Sequence, residues 1–205
     1  MSTWMLLLSL AAIDILSIAS PGPNILLVSQ TAVGQGRARA LLTGYGLLAA
    51  SLVWACIALL GLTALFEIMP SLQTGMQIAG ALFLIYIGIR LWRSPADPVA
   101  EDTVEVDPHA SRRAILRGFA TGILNPKSLT YFATIFVLFI PADAPMDLRL
   151  SALGIVVVDG LLVYGLAAFL FSRPAVKKGY LALRRPIDRI CGTVMMVFAA
   201  KLAMF

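Results

Sequence analysis

The sequence predicts an all-α polytopic membrane protein: six transmembrane helices forming two inverted three-helix repeats, with helices 1 and 4 broken at proline motifs. Three observations carry that expectation. Of 205 residues, 60% are hydrophobic and only 13% charged, against about 45–50% apolar and about 25% charged in soluble domains. The stretches Ile15–Gly36, Ala40–Phe66, Ile68–Ile89 and Ser128–Ala142 contain no Asp, Glu, Lys or Arg, and a spanning helix needs about 20 apolar residues. Proline clusters interrupt the apolar run at comparable places in the two halves. Lipid offers backbone groups no partner, so only helices or closed barrels span it, and the alternation of a barrel strand is absent.

The first apolar segment covers residues 4–33. It opens MSTWMLLLSLAAIDIL, with no basic n-region, Asp14 inside the run and no clean A-x-A site, and therefore reads as a retained span rather than a signal peptide. Its roughly 30 residues would extend about 45 Å if straight, longer than the bilayer core. Segments 41–66 and 71–92 complete a first repeat, 1–93. A polar stretch, 94–111, holds Asp97, Glu101, Asp102, Glu105, Asp107 and the only histidine, His109; it reads as a mobile cytoplasmic linker with a solvated histidine. Segments 113–140, 147–172 and 187–205 make the second repeat, 112–205. The whole chain, 1–205, is then one transmembrane domain.

Basic residues fix the expected topology. Arg37 and Arg39 flank the first loop, Arg90, Arg93, Arg112, Arg113 and Arg117 the third, and Arg173, Lys177, Lys178, Arg184, Arg185 and Arg189 the fifth. These are 13 of the 16 Lys and Arg, so the positive-inside rule puts those loops in the cytoplasm and both termini outside. The net charge of +5 is thereby explained by membrane topology, with no nucleic-acid partner.

The two halves correspond. IAGALFLIYIGIRLW from Ile78 resembles ICGTVMMVFAAKLAM from Ile190, and the first span carries Pro21, Gly22, Pro23 and Asn24 where the fourth carries Asn125, Pro126 and Lys127. Three-span repeats insert in opposite orientations because three is odd. Inverted repeats with paired broken helices point to a secondary transporter, whose half-helix ends expose N–H groups and carbonyls to a substrate. These seven residues are the candidate substrate-binding set.

Charges inside the membrane are costly, about 2.5–3.5 kcal/mol each on insertion scales, and should face the bundle interior. Asp14 lies two turns before Pro21 on the same helical face and is expected to share a cavity with the break. Asp14 and Asp159 are the candidate proton carriers, either of which could instead form a static ion pair with Lys127. Lys127, at the first turn of a new half-helix, suits a substrate carboxylate or serves as counter-ion to Asp14 or Asp159; both readings stay open. Gly118 and Gly122 form a GxxxG whose expected use is packing within the chain. Trp4, Trp54 and Trp92 are expected at interfaces, and Cys56 and Cys191, without a CxxC, in packing. No metal site, cofactor or P-loop is predicted, and no catalytic residue.

SPGPN followed by QTAVGQGRARALLTGYG, the FLIYIGIRLW third span and GFATGILNPKSLTYF resemble, in combination and over essentially the whole chain, the lysine exporter superfamily, in its homoserine/threonine exporter branch. The resemblance implies a bacterial inner-membrane exporter of amino acids or their derivatives, driven by the proton motive force, with no cofactor, and assembled as a homo-oligomer such as a dimer. Pro21, Gly22 and Pro23 correspond to the family's first break, Asn125, Pro126 and Lys127 to its second, and Asp14 and Asp159 to its acidic positions. Related branches export divalent cations, which prefer several hard oxygen or imidazole ligands together; the spans here offer two Asp and no His. A non-transporting scaffold gives no reason for two broken spans, and an intramembrane hydrolase lacks a histidine in the spans.

Overall fold

The computed structural model describes residues 3–20, 22–61, 109–136, 139–140 and 144–183, with scattered positions between 68 and 93 and between 185 and 200. Pro21, Cys191, the linker residues 94–108 and most of the expected spans 71–92 and 187–205 lie outside the described residues. Among the described residues there are helices and turns and no strand.

Helix α1 (Thr3–Ala19) and helix α2 (Pro23–Gln35) are the two halves of the first segment, bent 58° from each other. Pro23 occupies the first position of α2, where a missing N–H leaves no hydrogen bond unmade. Gly36 alone separates α2 from α3 (Arg37–Leu59), and its φ of 85° lies in the left-handed region that favours glycine. Helix α3 therefore starts at Arg37, ahead of the apolar segment expected from 41, because Arg37 and Arg39 are good helix formers although charged. It also stops at Leu59 rather than near 66. Gly61, at φ 97°, turns its N–H back onto the Ala58 carbonyl at 3.1 Å, a helix stop that hydropathy does not register.

In the second half, α4 (Ala110–Ile123) ends and α5 (Pro126–Thr130) begins around Asn125, after which a π-helical stretch, Tyr131–Phe136, continues the chain. Asn125 has extended backbone, and its side-chain oxygen accepts the Lys127 backbone N–H at 3.0 Å. Such a cap is worth about 1 kcal/mol. Helix α6 (Met146–Phe171) is unbroken and leads into α7 (Pro174–Ala182). Of the described helices, α3 and α6 are each long and apolar enough to cross a membrane, and the bent α1–α2 pair meets the same measure when taken as one broken segment.

Glycines set the packing. A methyl on Gly118 would lie 2.1 Å from the Thr43 carbonyl oxygen, one on Gly46 2.0 Å from that of Ile115, and one on Gly122 2.6 Å from Ala50 Cβ. The backbones of α3 and α4 touch, so the GxxxG face is consumed within the chain. Apolar residues form two clusters: Leu10, Trp54, Phe132, Phe136, Ala152 and Val156 in one, Val28, Ala40, Leu47, Tyr164 and Ala168 in the other. Helix α6 reaches both, and the buried polar residues Asp14, Asn24, Asn125 and Asp159 belong to neither.

At one end, the guanidinium groups of Arg37 and Arg173 lie 5.0 and 4.4 Å from the Phe169 ring centroid, placing the loops after α2 and after α6 together. Gly88 lies against Gly192 and Met196, and Trp92 Nε1 donates to Thr193 Oγ1 at 3.2 Å, so the third and last apolar segments meet. Two expectations need correction. Trp54 is buried among Leu10, Phe132 and Val156 rather than held at an interface, because the aromatic π-helical turn packs onto α3 there. Cys56, by contrast, is exposed on the outer face of α3.

Candidate functional site

Helix breaks leave polar backbone groups without their usual partners, and here the two breaks face each other. Asn125 donates from its side-chain nitrogen to Asn24 Oδ1 at 2.8 Å, and Asn24 Nδ2 donates to the Tyr164 hydroxyl at 3.3 Å and to Ser128 Oγ at 3.5 Å. Both carboxamides are buried. They clasp α2 to the α4–α5 break and to α6, with hydrogen bonds that burial makes expensive to lose.

Beside this clasp opens a cleft of about 440 Å³, counted with its mouth. Asp14, Ser17 and Ser20 line it from the first half-helix, Gly22 and Asn24 from the break, Asn125, Lys127, Ser128 and Tyr131 from the second break, and Tyr164 from α6. Asp14 thus shares the cavity with Gly22, as its two-turn spacing from the break predicts.

Among the described residues, the charged groups of the cleft are not arranged as ion pairs. Lys127 Nζ donates to the Ser17 carbonyl at 2.6 Å, to the Ser20 carbonyl at 3.2 Å and to Ser20 Oγ. Its partners are therefore the carbonyl end of α1, and among the described residues it forms no ion pair with Asp14 or Asp159. Both ion-pair readings are corrected by this geometry. The reason is local: the residue four positions after Ser17 is Pro21, which has no N–H to complete the helical bond, and the freed carbonyls carry the negative end of the helix dipole. Asp14 is 3% exposed, and its Oδ2 has no hydrogen-bond partner. The Tyr131 hydroxyl faces it, also without a partner in hydrogen-bond geometry. Asp159 is likewise buried with Oδ2 unpartnered, but it stands outside the cleft lining, within electrostatic range of Asp14 and Tyr131.

Of the sequence-predicted residues, Gly22, Asn24, Asn125 and Lys127 come together with Asp14 in the cleft lining, while Pro23 and Pro126 shape the half-helix starts behind it. Ser17, Ser20, Tyr131 and Tyr164 were not among the predicted residues. The signal for the two serines was their place just before Pro21, where carbonyls lose their donors. No comparable signal marks Tyr164.

A bent first helix and a capped second break thus meet at one cleft, with the buried Asp14 carboxyl in its wall. The family model of the LysE type translocator matches residues 15–204. The chain belongs to this family. Its similarity extends to the threonine efflux protein of Escherichia coli K12, 33% identical over 200 residues and 97% of each chain, and to that of Salmonella typhi, 32% identical over 202 residues with the same coverage. The leucine efflux protein of Enterobacter sp. is 27% identical over 188 residues, 89% of this chain and 88% of its own. No solved structure matches. As a LysE translocator, the protein is a membrane transporter and not an enzyme.

Proposed function

We propose that this LysE protein exports amino acids or close derivatives, of the homoserine, threonine or lysine kind, from the bacterial cytoplasm across the inner membrane in exchange for protons. The threonine and leucine efflux relatives support the substrate class. The observation that carries the reading is the cleft at the junction of the two breaks, with the buried carboxyl of Asp14, its Oδ2 unpartnered, in the wall.

A zwitterion needs a cation site and an anion site in one low-dielectric pocket. The carbonyl end of α1 with the Asp14 carboxyl supplies the first. The N–H groups opening α5 and the Lys127 ammonium are suited to the second. Gly22, Pro23 and Asn24 on one side, and Asn125, Pro126 and Lys127 on the other, shape the pocket, with Pro21 completing the first break. An inbound proton taken up on Asp14, with Asp159 as a second carrier, resets the transporter. One proton moving through 100 mV supplies about 2.3 kcal/mol, enough for a substrate gradient of roughly forty-fold. Alternating access follows from rocking of two inverted repeats, 1–93 and 112–205, about the Asn24–Asn125 clasp, with both termini outside and a homo-oligomer in the membrane.

Purified protein in proteoliposomes loaded with labelled amino acids tests this. Saturable efflux of at least one of threonine, homoserine, leucine or lysine, accelerated by an imposed proton gradient, is the expected result. Efflux no faster than from protein-free vesicles for every one of them overturns the reading.

A further inference from the structure

Lys127 starts on one half of the molecule and ends on the other. Its backbone opens α5, the positive end of that half-helix, where a cation is electrostatically misplaced. Its ammonium crosses the cleft to the carbonyl end of α1, where Ser17 O, Ser20 O and Ser20 Oγ receive it. Gly22 lies beside that path: a Cβ there would be 3.6 Å from both Cδ and Nζ of Lys127, in van der Waals contact with the lysine side chain. Gly22 has extended backbone, φ 176°, which any residue adopts.

The group seated at the carbonyl end of α1 is a primary ammonium, the same chemical group that an amino-acid substrate presents. Two primary ammoniums cannot occupy one cage of three oxygens. We propose that the carbonyl end of α1 is the ammonium subsite of the cleft, and that Lys127 fills it as a tethered stand-in whenever substrate is absent. This inference rests on the amino-acid export reading. Substrate entering the cleft displaces the lysine. When substrate leaves, Lys127 returns, neutralises the exposed carbonyls and ties the first half to the second, so that the empty carrier closes and reorients. Without it, the empty carrier faces lipid-depth burial with bare carbonyls and reorients slowly.

The two halves of the transport cycle separate the possibilities. Exchange of labelled for unlabelled amino acid needs only the loaded carrier to reorient, whereas net efflux also needs the empty one. In Lys127→Met, net efflux is expected to fall by about tenfold or more beyond any fall in exchange, the size expected from removing a set of charged hydrogen bonds from one of two states. Millimolar methylammonium, a free ammonium of the right size, should restore part of the net efflux. Ser20→Ala, which removes one of the three acceptors, should shift the ratio of net efflux to exchange in the same direction by a smaller factor. Equal loss of exchange and net efflux in Lys127→Met overturns the proposal, since that is the signature of a residue that acts on the loaded carrier alone or of a damaged fold. An unchanged ratio in both variants overturns it as well. A wild-type protein that exchanges no amino acid contradicts the export reading instead, and the proposal with it.

Discussion

Asn125 and Asn24, 101 residues apart in sequence, are joined by a hydrogen bond of 2.8 Å from one carboxamide to the other. Each belongs to a proline break, and the bond makes one buried polar junction out of two helix interruptions. Asn125 is engaged twice, since its oxygen also caps α5 through the Lys127 N–H. Removing it strands the Asn24 oxygen and uncaps the half-helix.

Asn125→Ala should therefore destabilise the protein by about 1–3 kcal/mol, the usual penalty for orphaning a buried polar group. Thermal unfolding in detergent checks this. Tyr164→Phe, which removes the 3.3 Å acceptor for Asn24 Nδ2 but leaves the Asn24–Asn125 bond and the α5 cap in place, should cost less, and the order of the two variants is the test of the clasp.

The glycine contacts between α3 and α4 give a sharper contrast. Gly118→Ala places a methyl 2.1 Å from the Thr43 carbonyl oxygen, whereas a Cβ at Gly154 meets nothing within 4 Å. Overpacking typically costs about 1–3 kcal/mol, and more where backbone must move. Gly118→Ala is expected to lower detergent stability clearly and Gly154→Ala to leave it unchanged. A monodisperse, equally stable Gly118→Ala protein would contradict the close approach of the two helices.

Asp14 and Asp159 should behave differently, because only Asp14 lines the cleft. Asp14→Asn keeps shape and volume and removes the titrating group. Proton-driven efflux by this variant should fall to the vesicle background while insertion and thermal stability stay normal. Asp159→Asn should retain measurable transport. The comparison is read from initial efflux rates in proteoliposomes at equal protein.

Topology is testable without transport. Phe169 brings the loops after α2 and after α6 to one end through Arg37 and Arg173. In a background carrying Cys56→Ser and Cys191→Ser, cysteines at the exposed positions Ala38 and Lys178 should react only with reagent that reaches the cytoplasm. Labelling of the two from opposite sides would contradict the shared end.

How much of this was legible in the sequence differs by feature. Proline in a charge-free apolar run has a categorical effect on a helix, so both breaks were readable, and so was Asp14, whose spacing from the break fixes its face. The partner of Lys127 was not. A lysine that shares the membrane interior with only two carboxylates suggests an ion pair, yet its acceptors are two backbone carbonyls and a serine hydroxyl at a break in another span, and sequence does not display freed carbonyls. Hydroxyls are too common in apolar helices to stand out, which hid Ser17, Ser20, Tyr131 and Tyr164. The end of α3 was misplaced because hydropathy continues past Gly61, where backbone conformation and not polarity stops the helix.

Substrate held in the cleft between the breaks would shield a thiol placed there, and protection of such a thiol is the most direct test of the proposed transport site. Ser128 lines the cleft, and Ser128→Cys in the background lacking Cys56 and Cys191 offers a single reactive group. The transported amino acid should slow maleimide labelling of Cys at this position with a half-effect near its transport KM, and should leave labelling at Gly154→Cys, outside the cleft, unchanged. Labelling at position 128 that is indifferent to saturating substrate, in protein that still transports, would contradict it.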